Sequence, residues 1–221
     1  MPAFTGETRY ICRGLCRVSP VLAYDLAREE AVLRRLPSTF TYSQAMAAGI
    51  SRWRLYRLRD QGAIDLVSRG LYRRCEAEEV DLDLIEIARR APLATLCLTT
   101  ALARHGLTDE IPSRIDVALP RGRHRPVTTA PVAWHSFDPV TFEVGRTTLP
   151  LDPETSIGIY NPERSIIDAI RLRHREGPDL VYGALKRWLR QRGAAPSTLL
   201  AMARHLPQAE RPLREALEIL L

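Results

Sequence analysis

The chain has 221 residues, 45% of them hydrophobic and 26% charged, with a formal net charge of +6. These values describe an ordinary globular chain of one or two domains with a substantial core, and they exclude a disordered or low-complexity protein. No run reaches the roughly 20 apolar residues of a membrane span and the N-terminus lacks an apolar signal core, so a cytoplasmic protein is expected.

Residues 1–20 show little periodicity and read as an N-terminal extension. Cys12 and Cys16 have a C-x3-C spacing, but no nearby histidine or second cysteine pair completes a zinc site, so neither metal nor cofactor is expected. Residues 21–35, VLAYDLAREEAVLRR, read as a helix stopped by Pro37. Thr41 then caps a helix from Tyr42 to Ala48, with Gln44 at the capping-box position. Gly49 ends it, where the chain needs positive φ. Ile50 turns inward, and Ser51 caps a second helix from about Arg52 to Gln61, closed by Gly62. Leu55 and Leu58 share its core-facing side at 3.6 residues per turn. Trp53, Tyr56, Arg57 and Asp60 lie broadly opposite, with Arg52 and Arg54 beside them in the first turn.

Ile64 to Val67 and Leu71 to Arg74 are short extended runs joined by Ser68-Arg69-Gly70, a hairpin with Arg69 at its tip. Arg73 and Arg74 extend the basic surface. From Arg52 to Arg74 there are seven arginines against Asp60 and Asp65, a local net of +5. A helix, a glycine turn, a basic helix and a basic hairpin in that order predict a winged helix-turn-helix over residues 21–78, a module that reads duplex DNA. The N-terminal turn of such a second helix meets base edges. Arg52, Arg54 and Arg57 are therefore the expected groove contacts, since arginine pairs bidentately with guanine or holds phosphate. Trp53 and Tyr56 would pack on sugar or thymine methyl, and Arg69, Arg73 and Arg74 would hold phosphates. For Trp53, packing against the first helix or the hairpin is an equal expectation.

The acidic run Glu76, Glu78, Glu79, Asp81 and Asp83 marks a junction, and residues 79–221 read as a second domain. Leu82 to Ala91 predicts an amphipathic helix with Leu82, Ile85, Ile87 and Ala88 inward, and Thr95 to His105 a second, apolar helix. Ile115 to Leu119, Val132 to Phe137, Thr141 to Leu149 and Ser156 to Tyr160 read as strands. Asn161-Pro162 starts a helix to about His174. Further helices run from Gly177-Pro178-Asp179 to about Arg192, from Ser197 to Leu206 and from Glu210 to Leu221. The fold class expected is α+β: an N-terminal winged helix-turn-helix and a C-terminal mixed α/β domain with a helical tail. Residues 1–80, 81–160 and 161–221 carry nets of +4, −2 and +4, so charge alone does not make the middle a nucleic-acid surface.

Other clusters carry residue types suited to binding or chemistry. The loop Arg121-Gly-Arg-His-Arg-Pro126 is a candidate phosphate or acidic-protein contact, or a solvated loop. Asp116 and Asp138 would need the fold to bring them together as a nuclease-like carboxylate pair. Leu180, Ala184, Leu185, Trp188 and Leu189 read as core; exposed, Trp188 or Leu213, Leu217 and Leu220 would offer a partner groove. Lys186, Arg187, Arg190 and Arg192 read as a solvated face before a DNA contact. With no P-loop and no G-x-S-x-G, no enzyme is expected.

Three segments carry a resemblance: AGISRWRLYRL with its following RGLYRR, LCLTTALARHGLTDEIPSRIDVALPRGRHRP, and NPERSIIDAIRLRHREGPDLVYGALKRWLRQRG. Together they resemble AbiEi-type antitoxins of bacterial toxin–antitoxin (abortive infection) systems over about residues 38–221. The resemblance implies a repressor that binds promoter DNA of its own operon, and a C-terminal domain that counteracts a neighbouring nucleotidyltransferase toxin. It leaves open a second reading, in which direct complex formation with the toxin is the main act. The Gly-Ser and spaced aspartates of the toxin side are absent, which favours the antitoxin.

Overall fold

The computed structural model describes residues 32–77 and 80–220. The expected N-terminal extension, the Cys12 and Cys16 pair and nearly all of the expected helix at 21–35 lie outside them. The protein is α+β. No helix among the described residues is long and apolar enough to cross a membrane.

The first unit runs β1 (Thr39–Thr41), α1 (Tyr42–Ala47), α2 (Arg52–Asp60), β2 (Ile64–Ser68) and β3 (Leu71–Arg74). Local chemistry sets both helix starts. The Thr41 hydroxyl accepts from the Gln44 amide at 3.2 Å, and the Gln44 side chain accepts from the Thr41 amide at 2.8 Å, a closed capping box. Ser51 accepts from the Arg54 amide at 3.4 Å. Between the helices Gly49 takes φ 85°, a left-handed conformation that lets Ile50 return to the core. Phe40, Ala45, Ile50, Leu55, Leu58, Ile64 and Tyr72 form that core.

Strand β1 is a feature the sequence reading missed. It pairs antiparallel with β3, making a three-stranded sheet of order β1-β3-β2, and places Phe40 6.0 Å from the Tyr72 ring. Three residues are too few to show an alternation, and the Thr41 cap signal masked them.

The second unit begins with α3 (Leu82–Arg90). Its sheet is built from β4 (Thr95–Leu96), β5 (Ile115–Pro120), β6 (Val132–Phe137), β7 (Arg146–Asp152) and β8 (Thr155–Tyr160), with α4 (Leu98–Arg104) after β4. The strand order is β6-β5-β4-β8-β7. The β5/β6 and β4/β8 pairs are parallel, and β4/β5 and β7/β8 are antiparallel. Helices α5 (Pro162–Arg171), α6 (Arg173–Glu176), α7 (Pro178–Leu189), α8 (Pro196–Ala203) and α9 (Glu210–Leu220) close the chain. Val117, Leu119, Ile157 and Ile159 pack with Leu84 and Ile87 of α3. A separate helical core gathers Ile166, Ile170, Leu185, Trp188, Leu199 and Leu213.

Four expectations need correction. Thr95 to His105 is not one helix: Thr95 and Leu96 are the central strand, bonded to β5 on one side and β8 on the other. A short apolar run fits a buried strand or a buried helix equally well, and here the gap between two strands decides it. Thr141–Gly145 is a turn, so the expected strand starts only at Arg146. The helix at 162–174 breaks at Leu172 into α5 and α6. Leu82 is 43% exposed; α3 instead buries Leu84 and Glu86 with Ile85, Ile87 and Ala88.

Candidate nucleic-acid interface

Helix α2 turns Leu55 and Leu58 into the core, which leaves a continuous basic and aromatic face outward. Trp53 is 67% exposed, so it is not a core anchor for the first helix or the hairpin. The Arg57 guanidinium lies 5.1 Å from the Trp53 ring centre, and Arg52 and Arg59 lie 5.5 and 5.2 Å from that of Tyr56. Arg52 Nε also donates to the Tyr56 hydroxyl at 3.3 Å. Rings and guanidinium groups thus hold one another as a preformed surface; such stacking orders long side chains before a ligand arrives. The acid on this helix, Asp60, is held by Arg59 at 2.8 Å. Arg54 is half-buried beside the exposed Arg52 in the first turn.

Arg69 is exposed at the hairpin tip, where Gly70 takes φ 76° and the β2–β3 register shifts between Leu66 and Ser68. The tip is tied to the second unit. Arg90 of α3 donates Nη2 to the Ser68 hydroxyl at 3.2 Å and to the Arg69 carbonyl at 3.3 Å. Its Nε donates to Glu86 at 2.9 Å, and the other Glu86 oxygen accepts from the Thr129 and Ala130 amides at 2.9 and 3.2 Å. Burial alone would raise the Glu86 carboxyl. The Ala130 amide, the Ser68 hydroxyl, the Thr129 amide and Arg90 outweigh it and hold the carboxyl below its usual range.

Arg73 does not belong to the outer surface, contrary to the sequence expectation. It is 6% exposed, and its Nη1 donates to the Thr39 hydroxyl at 2.7 Å and to Asp152 at 3.2 Å. On β3 it faces the second unit, so its charge ties the units together and is spent before any phosphate arrives. Arg74 is half-buried and donates to the Ser38 hydroxyl at 3.3 Å. The same seam contains Ser38, whose amide donates to Glu154 at 2.7 Å, and Arg89, which donates to the Thr39 carbonyl at 3.1 Å. Sequence reasoning found none of Arg89, Asp152 or Glu154, because only the fold brings residues this far apart in the chain together.

The seam gives an acid-sensitive junction. Burial pushes the Asp152 carboxyl up, but the Glu154 amide, Thr155 and Arg73 more than offset it and leave it lowered. A carboxyl lowered on folding stabilises the native state above its unfolded value, near pH 4, and that stabilisation is lost as pH falls through the folded value. Thermal melting followed from pH 6 to pH 3 is expected to fall more steeply for the native protein than for an Asp152→Asn, Glu86→Gln double variant. Parallel curves would remove these two carboxylates as the cause.

The remaining candidates are placed elsewhere. Asp116 accepts from His135 Nε2 at 2.9 Å and from Thr100, whereas Asp138 caps the Val140 amide at 2.9 Å, so each carboxylate has its own partner. Leu180, Ala184, Leu185, Trp188, Leu213 and Leu217 are core. Lys186, Arg190 and Arg192 are exposed, and Arg187 forks onto Asp109. Arg121, Arg123 and Arg125 stand exposed after β5.

Three comparisons bear on this geometry. No curated protein matches the chain. The fold is similar to the crystal structure of the RV2827C protein from Mycobacterium tuberculosis, with a TM-score of 0.50 and 18% identity over 89% of this chain and 81% of that one. At that identity the likeness speaks for the fold alone. Residues 28–74, the segment that holds the basic face of α2 and the hairpin, match the family described as "Transcriptional regulator, AbiEi antitoxin". Over that segment the chain is similar to the AbiEi antitoxin transcriptional regulators.

Proposed function

We propose that the first unit is a winged helix-turn-helix that binds promoter DNA of its own operon, and that the chain represses that operon while counteracting a cognate nucleotidyltransferase toxin. The observation that carries the DNA half is the exposed face of α2, where Trp53 and Tyr56 are interleaved with Arg52, Arg57 and Arg59. A helix of this kind, with its N-terminal turn toward the base edges, enters the major groove, and a hairpin beside it tracks phosphates. The toxin half rests on the resemblance of the second domain. We read the chain as acting by binding rather than by catalysis, since Asp116 and Asp138 are each engaged with separate structural partners.

In this reading Arg52, Arg54 and Arg57 read the groove and Arg69 holds phosphate. Arg69→Ala is expected to weaken binding to all duplexes alike and to reduce the slope of log affinity against log salt by about one unit. Titration of promoter and scrambled duplexes at three salt concentrations measures both. A gel shift with the upstream promoter that shows no complex at moderate salt would overturn the repressor. For the toxin half, a toxicity-rescue assay with the neighbouring gene is decisive. Co-purification of the two products through high salt would identify direct complex formation as the route.

A further inference from the structure

A second basic site lies apart from α2, in the second unit. Edge strand β6, the residues just after β5, and helices α5 and α6 enclose a cavity of about 390 Å³. Its lining includes five arginines, Arg121, Arg125, Arg164, Arg171 and Arg175, against the carboxylates of Asp138 and Asp168. Its arginines and carboxylates alone sum to a net charge of +3.

The floor is rigid. Arg164 is 1% exposed; it donates Nε to Asp168 at 2.6 Å and Nη1 to the carbonyls of Thr141 and Val144 at 2.8 and 2.7 Å. Arg171 takes the other Asp168 oxygen at 2.9 Å, so two cations share one buried anion. The rim is different. The Arg121 and Arg175 guanidinium groups make no hydrogen bond or ion pair among the described residues, and Arg125 contacts the Ser136 hydroxyl at 2.7 Å. Trp134 and Phe137 add half-buried aromatic surface to the same wall.

We infer that this cavity binds a small phosphorylated ligand, up to a mononucleotide in size, with its phosphate between Arg121 and Arg175 and its apolar part against Trp134 or Phe137. Like charges gathered around a concavity repel until an anion enters, and forked guanidinium groups match phosphate oxygens. A cavity of this volume falls in the range that takes small molecules. Duplex DNA is bound by elements that project into its grooves, a shape opposite to this one. The inference does not rest on promoter binding by the first unit.

The test uses the full chain and isothermal titration with pyrophosphate, adenosine 5′-monophosphate, adenosine and a promoter duplex. Saturable binding of pyrophosphate and the monophosphate is expected, with adenosine silent. An Arg121→Ala, Arg175→Ala double variant should lose at least about tenfold in affinity for them, while melting as the native protein does and leaving duplex binding unchanged. Arg69→Ala should leave the small anions unaffected. Absence of saturable binding, equal binding of adenosine, or loss of the anions with Arg69→Ala overturns the inference. Loss of duplex affinity in the double variant also overturns it and assigns the cavity's rim to DNA.

Discussion

Arg164→Met is expected to cost about 3–5 kcal/mol of stability. The residue lies fully buried at the start of α5, and its charge is met by Asp168 and two backbone carbonyls. Its guanidinium also stands 4.5 Å from the Tyr160 ring centre and 5.6 Å from that of Phe137. Methionine fills much of the volume but strands Asp168 with Arg171 alone and leaves the Thr141 and Val144 carbonyls without their donor. The turn that carries them packs directly on this residue. A Cβ added at Gly145, already at φ 71°, would lie 2.7 Å from the Arg164 Cβ. Chemical denaturation read by near-ultraviolet circular dichroism checks the prediction. An Arg164→Met, Asp168→Leu pair should recover part of the loss, because it removes the stranded charge as well as its partner.

The largest functional effect is expected from Arg52→Ala combined with Arg54→Ala. Each change should cost about 10- to 100-fold in affinity for the promoter if both read bases, with scrambled duplex affected far less. Arg52 is exposed, with its Nε donated to the Tyr56 hydroxyl. The helix keeps its Ser51 cap and its Leu55 and Leu58 anchors, so melting should change little. Competition binding with promoter and scrambled duplex at one salt concentration reads the difference. Equal weakening on both duplexes would make these arginines phosphate contacts and move base reading to Arg57. An unchanged affinity on both would detach α2 from DNA altogether.

The candidate site was legible where local chemistry sets geometry. Thr41, Gln44, Gly49, Ser51 and Gly62 announce two helices and their ends, because caps and positive-φ turns depend on neighbours within a few residues. The spacing of Leu55 and Leu58 then fixes which face of α2 is outward, and with it Arg52, Trp53, Tyr56 and Arg57. Arg73 reads as surface in sequence because it stands next to Arg74 in a basic hairpin, whereas its partner Asp152 lies in a different sheet. The short strand at Thr95 was misread for the same reason: two residues carry no periodicity, and their identity as strand comes from β5 and β8.

The sequence by itself therefore determined the order of helix, turn, helix and hairpin, the α+β class, and the arginine-rich face. Each of these follows from contacts between residues close in the chain. Only the tertiary structure decided that Trp53 stands in solvent, that Arg73 is a buried tie between units, and that Arg121, Arg125, Arg164, Arg171 and Arg175 line one cavity. Burial and charge pairing depend on which surfaces meet, and those surfaces come from segments tens of residues apart.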